Sequence, residues 1–447
     1  MQSILIRTRN NKAQNMLQQH VQKRTHECAV RGVVLMLVLV ASIGLSSCDM
    51  RVLNDEVAIT QDGAQSANGT VLAVAGMLKS GFTIHQEIHW AASFVGEQEL
   101  SPNRQDQTFV FAARIANENL VAADNSQNST ISRELYSAFA LTDVVEAGLQ
   151  NRFSANDGSD SKAKALITAN MLAIRGILYA DLAKFYQEIV EPKTGARLTP
   201  ETAKQRAIDL LTQASRRWQE YYANPAPLPI NAAGMLGVRV VGTTVTPDSA
   251  AVRKFVNSYI GMLHFDTGTR PQAAPFLANG YVQSDGGREL GYLTIDALNG
   301  PGVYPTARNF VAFRGLNTYS ADFIRNRIPA DTSRRAPSNW FAPGVATAIN
   351  YFYPPSVRYP LITWQEVALM QAQTGAADST TVKRNVLQSW NIPAPVATAL
   401  STDATITLER VARYEYIGRG RRWSVGNPAT RQAWQRWPVS VELNVGN

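Results

Sequence analysis

In residues 161–188 the apolar side chains of Ile167, Met171, Ile174, Leu178, Leu182 and Phe185 recur at steps of 4, 3, 4, 4 and 3. That spacing returns to one side of a 3.6-residue helix at every turn, so the segment is committed to burying a helical stripe. Lys162, Lys164, Arg175 and Lys184 fall off the stripe. Residues 201–222 repeat the pattern at Ala203, Ala207, Leu210, Ala214, Trp218 and Tyr221, with Thr199 as N-cap and Pro200 at the first helical position. A third helix near 248–266 carries Val252, Val256, Tyr259 and Leu263 on one face, opens on Thr246-Pro247-Asp248, and is followed by a short partner around Gln272–Ala278. Segments 70–94 and 131–150 are also helical, the latter through Ile131, Leu135, Ala138, Leu141, Val145 and Leu149.

Pairs of roughly 34–36 residues, with small and aromatic side chains alternating in the stripe, are what tetratricopeptide-like hairpins look like; an irregular helical domain is the alternative reading. With 447 residues, 45% of them hydrophobic, the chain can bury a large core, which excludes wholesale disorder. Residues 280–358 differ, with dense Gly, Pro and aromatic punctuation and no persistent stripe. They read as a loop-rich insertion with a few short strands.

The formal charge of +8 would suggest a polyanionic partner if it belonged to the folded body. Residues 1–47 alone hold Arg7, Arg9, Lys12, Lys23, Arg24 and Arg31 against Glu27, and the remainder is only mildly basic. No Lys/Arg stripe with interleaved aromatics remains, so nucleic acid is not expected as a partner. Gly32 to Leu45 is an apolar run of 14 residues behind basic residues, the h-region of a signal peptide and shorter than the ~20 residues of a membrane span. It ends Leu45-Ser46-Ser47-Cys48, which resembles the lipobox of bacterial lipoproteins. The resemblance implies a signal peptide over 1–47, lipidation at Cys48 and attachment by more than one acyl chain. Residues 48–67 lack an apolar period and read as a tether, leaving 68–447 as one domain. Cys28 leaves with the leader, so no internal disulfide is available.

Three blocks in order carry a resemblance to a family. Tyr359-Pro360-Leu361-Ile362-Thr363-Trp364-Gln365-Glu366-Val367-Ala368-Leu369-Met370, then Glu415-Tyr416-Ile417-Gly418-Arg419-Gly420-Arg421-Arg422-Trp423, then Trp437-Pro438-Val439-Ser440-Val441-Glu442-Leu443 with Asn447, are similar to the C-terminal signatures of SusD/RagB outer-membrane nutrient-binding lipoproteins. Arg175-Gly176-Ile177-Leu178-Tyr179-Ala180-Asp181-Leu182 with Phe185-Tyr186 resembles a fourth. The chain departs from the family at Thr363, usually Arg, and at Arg419, usually Glu. The resemblance implies a mostly α fold, with tetratricopeptide-like pairs in one SusD-like domain and 280–358 as its ligand-side insertion. It further implies a lipid-anchored, surface-exposed protein of the bacterial outer membrane that takes an oligosaccharide or peptide ligand and works with a SusC-like TonB-dependent transporter.

Glu366 lies on an otherwise apolar helix, and a buried carboxylate must find a partner or stay protonated. Arg410, Arg413 or Arg422 are the candidates, and a structural Glu366–Arg422 ion pair is the expectation. Trp364, Trp390, Trp423, Trp434 and Trp437 read as core. His85-Gln86-Glu87-Ile88-His89 has metal-ligand spacing, but its Glu stands one position too late for the metalloprotease pattern, so a surface helix with two histidines is the reading, without a metal. His264 has no evident ligand partner. No catalytic triad pattern, nucleophile elbow or phosphate loop stands out, and neither enzyme activity nor a cofactor is expected. Sugar rings stack their C–H faces on aromatics and hydrogen-bond through hydroxyls. In the punctuated stretch, Trp340 is the first choice for such a platform, with Tyr304, Tyr319 and Phe341 beside it and Arg325 and Asn339 as polar contacts. The alternative for each aromatic is that it anchors the insertion to the helical body.

Overall fold

A computed structural model describes residues 67–95, 126–152, 158–228, 239–240, 248–293, 295–296, 300–301, 358–416 and 421. Helices dominate: α1 (Ala67–Val95), α2 (Ser126–Arg152), α3 (Gly158–Phe185), α4 (Pro200–Ala223), α5 (Ser249–Asp266), α6 (Arg270–Ala278), α7 (Trp364–Gln373), α8 (Ser379–Ser389), α9 (Ala394–Thr402) and α10 (Leu408–Glu415). The strands are minor. β1 (Ile189–Val190) and β2 (Arg197–Leu198) form a hairpin between α3 and α4, with Ile189 opposite Leu198. β3 (Arg239–Val240), β4 (Leu290–Leu293) and β7 (Arg358–Pro360) form an antiparallel sheet in the order β3-β4-β7, and β5 (Ile295–Asp296) pairs with β6 (Gly300–Pro301).

The helices associate chiefly as sequence neighbours, α1 with α2, α3 with α4, α5 with α6 and α8 with α9, and the first three pairs stack through α1–α3, α2–α3 and α4–α5 contacts. α3 is the central element. It meets α1, α2, α4 and α5, and every residue from Ala169 to Phe185 is buried. By length and composition α3 could cross a membrane, but 89% of its most apolar stretch is buried inside the protein, so it is a core helix. Burial on all sides also explains why Arg175 and Lys184, off the apolar stripe, are nonetheless enclosed.

Small residues set the helix spacing. A Cβ on Gly176 would come within 2.8 Å of Leu211 Cγ, so α3 and α4 approach through this glycine. Leu211, rather than the Leu210 of the predicted stripe, is the fully buried leucine of α4. Gly261 plays the same part between α5 and α6, where a Cβ would meet Leu277 Cδ2 at 2.6 Å. The turn joining that pair runs through Gly268 at φ 89°.

The helix starts follow their caps. Thr199 accepts from the Thr202 amide ahead of Pro200, and Asp248 accepts from the Ala251 amide. In the C-terminal block Tyr359 and Pro360 lie in β7, and the helix starts only at Trp364. Thr363 is its N-cap, with Oγ1 accepting from the Glu366 amide at 3.2 Å while Glu366 Oε2 accepts from the Thr363 amide at 2.9 Å. This reciprocal box gives a physical use to a threonine that stands where the resembled family has arginine.

Candidate functional site

Four stretches converge on a cleft of about 310 Å³. Phe139 and Asp143 come from α2, Arg175 and Tyr179 from α3, Pro192 and Lys193 from the β1–β2 connection, and Arg206, Asp209 and Gln213 from α4. Spacings of three and four residues put each helix's contributions on one face, and the hairpin closes one wall. The charges balance. Arg175 donates from Nε to Thr142 Oγ1 at 2.7 Å and from Nη2 to Glu146 Oε2 at 2.9 Å and to Asp143. Lys193 Nζ reaches Glu146 Oε2 at 3.0 Å and Asp143 Oδ1 at 3.2 Å. Arg206 pairs with Glu191, to which the Tyr179 hydroxyl donates at 2.5 Å. The hydrogen bond from Arg175 pulls the Glu146 carboxyl down to about 2. Burial pushes the Tyr179 phenol up, so it remains a donor.

His85 and His89 are not on a surface. They are 1% and 4% exposed because α1 is covered by α2 and α3, and they face Asp181 and Lys184 of α3. His85 Nδ1 lies 2.6 Å from Asp181 Oδ2. Asp181 Oδ1 is 3.2 Å from Lys184 Nζ, and His89 Nε2 is 3.3 Å from both Oδ1 and Nζ. Burial alone would raise the Asp181 carboxyl, but the charges of His85 and Lys184 and the histidine hydrogen bonds outweigh it and hold the group far below the carboxylate range. Burial, reinforced by His85 and Lys184, brings His89 down to about 3, so its imidazole is neutral. The ligand atoms of His85, His89 and Asp181 lie within 4.8 Å of one another, close enough to hold a metal ion. The Lys184 ammonium already stands against two of those atoms, and a second cation would meet it without solvent to screen the repulsion.

A second buried cluster joins the C-terminal segment to the helices. Arg421 Nε and Nη2 donate to Asp266 at 2.9 and 2.8 Å, and Nη1 donates to Glu366 Oε1 at 2.8 Å. Glu366 thus divides its oxygens, one for Arg421 and one for the Thr363 amide. The arginine found opposite Glu366 is Arg421, one position before the Arg422 named from sequence, and Arg422 lies outside the described residues. Arg410 donates to the Thr405 carbonyl and Arg413 to Glu409. His264 Nδ1 is 2.9 Å from Thr269 Oγ1, and its ring stacks on Phe276 at 5.5 Å.

Trp364 and Trp390 are core residues, 5% and 2% exposed, and Trp390 Nε1 donates to Glu415 Oε2 at 2.9 Å. Cys48, Tyr304, Tyr319, Arg325, Asn339, Trp340, Phe341, Trp423, Trp434 and Trp437 lie outside the described residues. Sequence reading missed the cleft. Its local signals are the Phe139/Asp143, Arg175/Tyr179 and Arg206/Asp209/Gln213 spacings, and nothing within any of the three helices says that these faces meet.

Stacked helical hairpins with a polar cleft and buried ion clusters define a helical-hairpin architecture. The comparisons place it further. No protein-family model matches the chain and no curated protein matches it. Among solved structures, a SusD superfamily protein from Bacteroides fragilis is similar at 12% identity and TM-score 0.54, covering 84% of this chain and 96% of its own. A SusD/RagB family protein from Bacteroides thetaiotaomicron is similar at 12% identity and TM-score 0.50, covering 84% and 85%. The fold is that of SusD/RagB proteins.

Proposed function

We propose that this chain is an outer-membrane lipoprotein that captures a glycan or other oligomeric nutrient and passes it to a SusC-like TonB-dependent transporter, without bond chemistry. One observation carries the reading: a helical body similar over most of its length to SusD/RagB structures follows a leader ending in a lipobox-like Leu45-Ser46-Ser47-Cys48. In this reading Cys48 carries the lipid and residues 48–67 form the tether. The insertion 280–358 forms the ligand side, with Trp340, Tyr304, Tyr319 and Phe341 as stacking platforms and Arg325 and Asn339 as hydroxyl partners. Glu366 and Arg422 remain a proposed structural contact of the C-terminal block, beside the Arg421 pair.

The test expresses the chain in a Bacteroides host. The protein should fractionate with the outer membrane, co-purify with a transporter and retain oligosaccharides on a glycan array, with Trp340→Ala reducing retention. Cys48→Ala should release it in soluble form. A Cys48→Ala protein that still fractionates with membrane, or an array without any bound glycan or peptide, would reject the corresponding half. A lipid-anchored scaffold binding only protein partners is the reading that remains if the transporter co-purifies and no small ligand is retained.

A further inference from the structure

We infer that the cleft between α2, α3 and α4 is a binding site for a single neutral, polyhydroxylated ring of the saccharide class, separate from any site on the insertion. At about 310 Å³ the cleft lies at the small end of the range of small-molecule sites, room for roughly one or two sugar rings rather than a chain. Apart from the exposed Asp209, which accepts from Gln205 Nε2 at 2.9 Å, its charged groups are already paired with one another, Arg175 and Lys193 with Asp143, and Arg206 with Glu191. An anion or a cation would have to compete for groups that are already satisfied, which is costly for the nearly buried Arg175 and Glu191. A neutral ligand avoids that cost.

Polar capacity is nevertheless left over. Arg175 has a side chain only 10% exposed, and its Nη1 makes no hydrogen bond to any described residue. The same holds for Arg206 Nη2 and for the Gln213 amide. The side chains that carry these unused N–H groups line the cleft together with Asp209, so donor and acceptor residues stand side by side, as vicinal hydroxyls require. Phe139 and Tyr179, in edge contact at 4.9 Å, supply apolar wall against which C–H groups can pack. This inference rests on the cleft alone and stands or falls independently of capture by the insertion.

Calorimetric titration and saturation-transfer NMR of the detergent-solubilised full chain with millimolar glucose, galactose, xylose and N-acetylglucosamine provide the test. At least one of these sugars should bind. Gln213→Trp, placed on the exposed face of α4 and filling the cleft, should weaken that binding roughly tenfold or more, while Arg216→Ala, exposed on the same helix and outside the cleft lining, leaves it within about twofold. Circular dichroism establishes that each variant is folded. Absence of binding by all four sugars, or equal affinity in Gln213→Trp, overturns the inference. So does loss of transporter co-purification in Gln213→Trp without any sugar binding, which would make the cleft a protein contact. Loss of oligosaccharide retention in Trp340→Ala with monosaccharide binding intact would bear on the insertion and not on the cleft.

Discussion

Arg421 and Asp266 are 155 residues apart in the chain, yet Nε and Nη2 of the one meet both carboxylate oxygens of the other, fork to fork, at 2.9 and 2.8 Å. Both side chains are essentially out of solvent, and Glu366 completes the group on the third nitrogen. The C-terminal segment is thereby tied at once to the end of α5 and the start of α7.

Removing the arginine would leave two buried carboxylates without their cation. Arg421→Met should therefore destabilise the protein by roughly 3–5 kcal/mol, whereas Asp266→Asn, which retains hydrogen-bonding capacity and the Glu366 pair, should cost less. Chemical denaturation of the two variants checks the order. Equal midpoints would show that the cluster is not the tie between these segments.

The pH profile should be a dome with its top between about pH 4.5 and about pH 6.5. Burial, followed by the charge of Glu134 and its hydrogen bond, pushes the Glu87 carboxyl up to about 8. The folded state then holds a proton that the unfolded chain releases near pH 4.5, and stability falls as pH rises through that window to about 8. His89, brought down to about 3, acts in the opposite sense: its contribution is complete above about pH 6.5 and is lost on acidification toward 3, with Asp181 adding to the loss below that. Each limb amounts to a few kcal/mol in order of magnitude. Thermal melts across pH should show loss on both sides, and Glu87→Gln should flatten the alkaline side alone. An alkaline limb unchanged in Glu87→Gln would exclude this carboxyl as its source.

Gly261→Ala sets two effects against each other. Alanine gains up to about 1 kcal/mol of helix propensity, but its Cβ meets Leu277 Cδ2 at 2.6 Å and the Leu277 backbone nitrogen at 3.2 Å. A backbone neighbour cannot rotate aside, so overpacking of roughly 1–3 kcal/mol wins and the melting temperature should drop. A rise would show that α5 and α6 part freely.

Thr363→Ala should cost about 1 kcal/mol through loss of the α7 cap, and Thr363→Ser should cost little because its hydroxyl can make the same bond. Thr363→Arg, which installs the residue usual in the resembled family, should behave like alanine unless a new carboxylate partner is met. Denaturation midpoints for the three variants decide it.

Much of the helical skeleton was legible in the residues. The Ile167–Phe185 stripe became α3, and the Thr199-Pro200 and Asp248 starts became caps, because periodicity and capping depend on neighbours a few positions away. Alanines such as Ala203, Ala207 and Ala214 alternating with Trp218 and Tyr221 suggested tetratricopeptide-like pairs beside the alternative of an irregular helical domain, and pairs are what the structure has. The ordered motifs near the C-terminus pointed to the SusD/RagB fold that the structure has.

What the tertiary structure decided was which polar groups go inside and whom they meet. The two polar histidines of this segment, His85 and His89, read as a surface helix, because the segment alone does not show that α2 and α3 cover α1. Arg421 and Arg422 are equivalent in composition and charge, and only the path of the chain turns the first toward Asp266 and Glu366. The cleft joins α2, α3, α4 and a hairpin, none of which announces the others. Local backbone preference is written in a few consecutive residues, whereas the burial of a charge depends on every element packed around it.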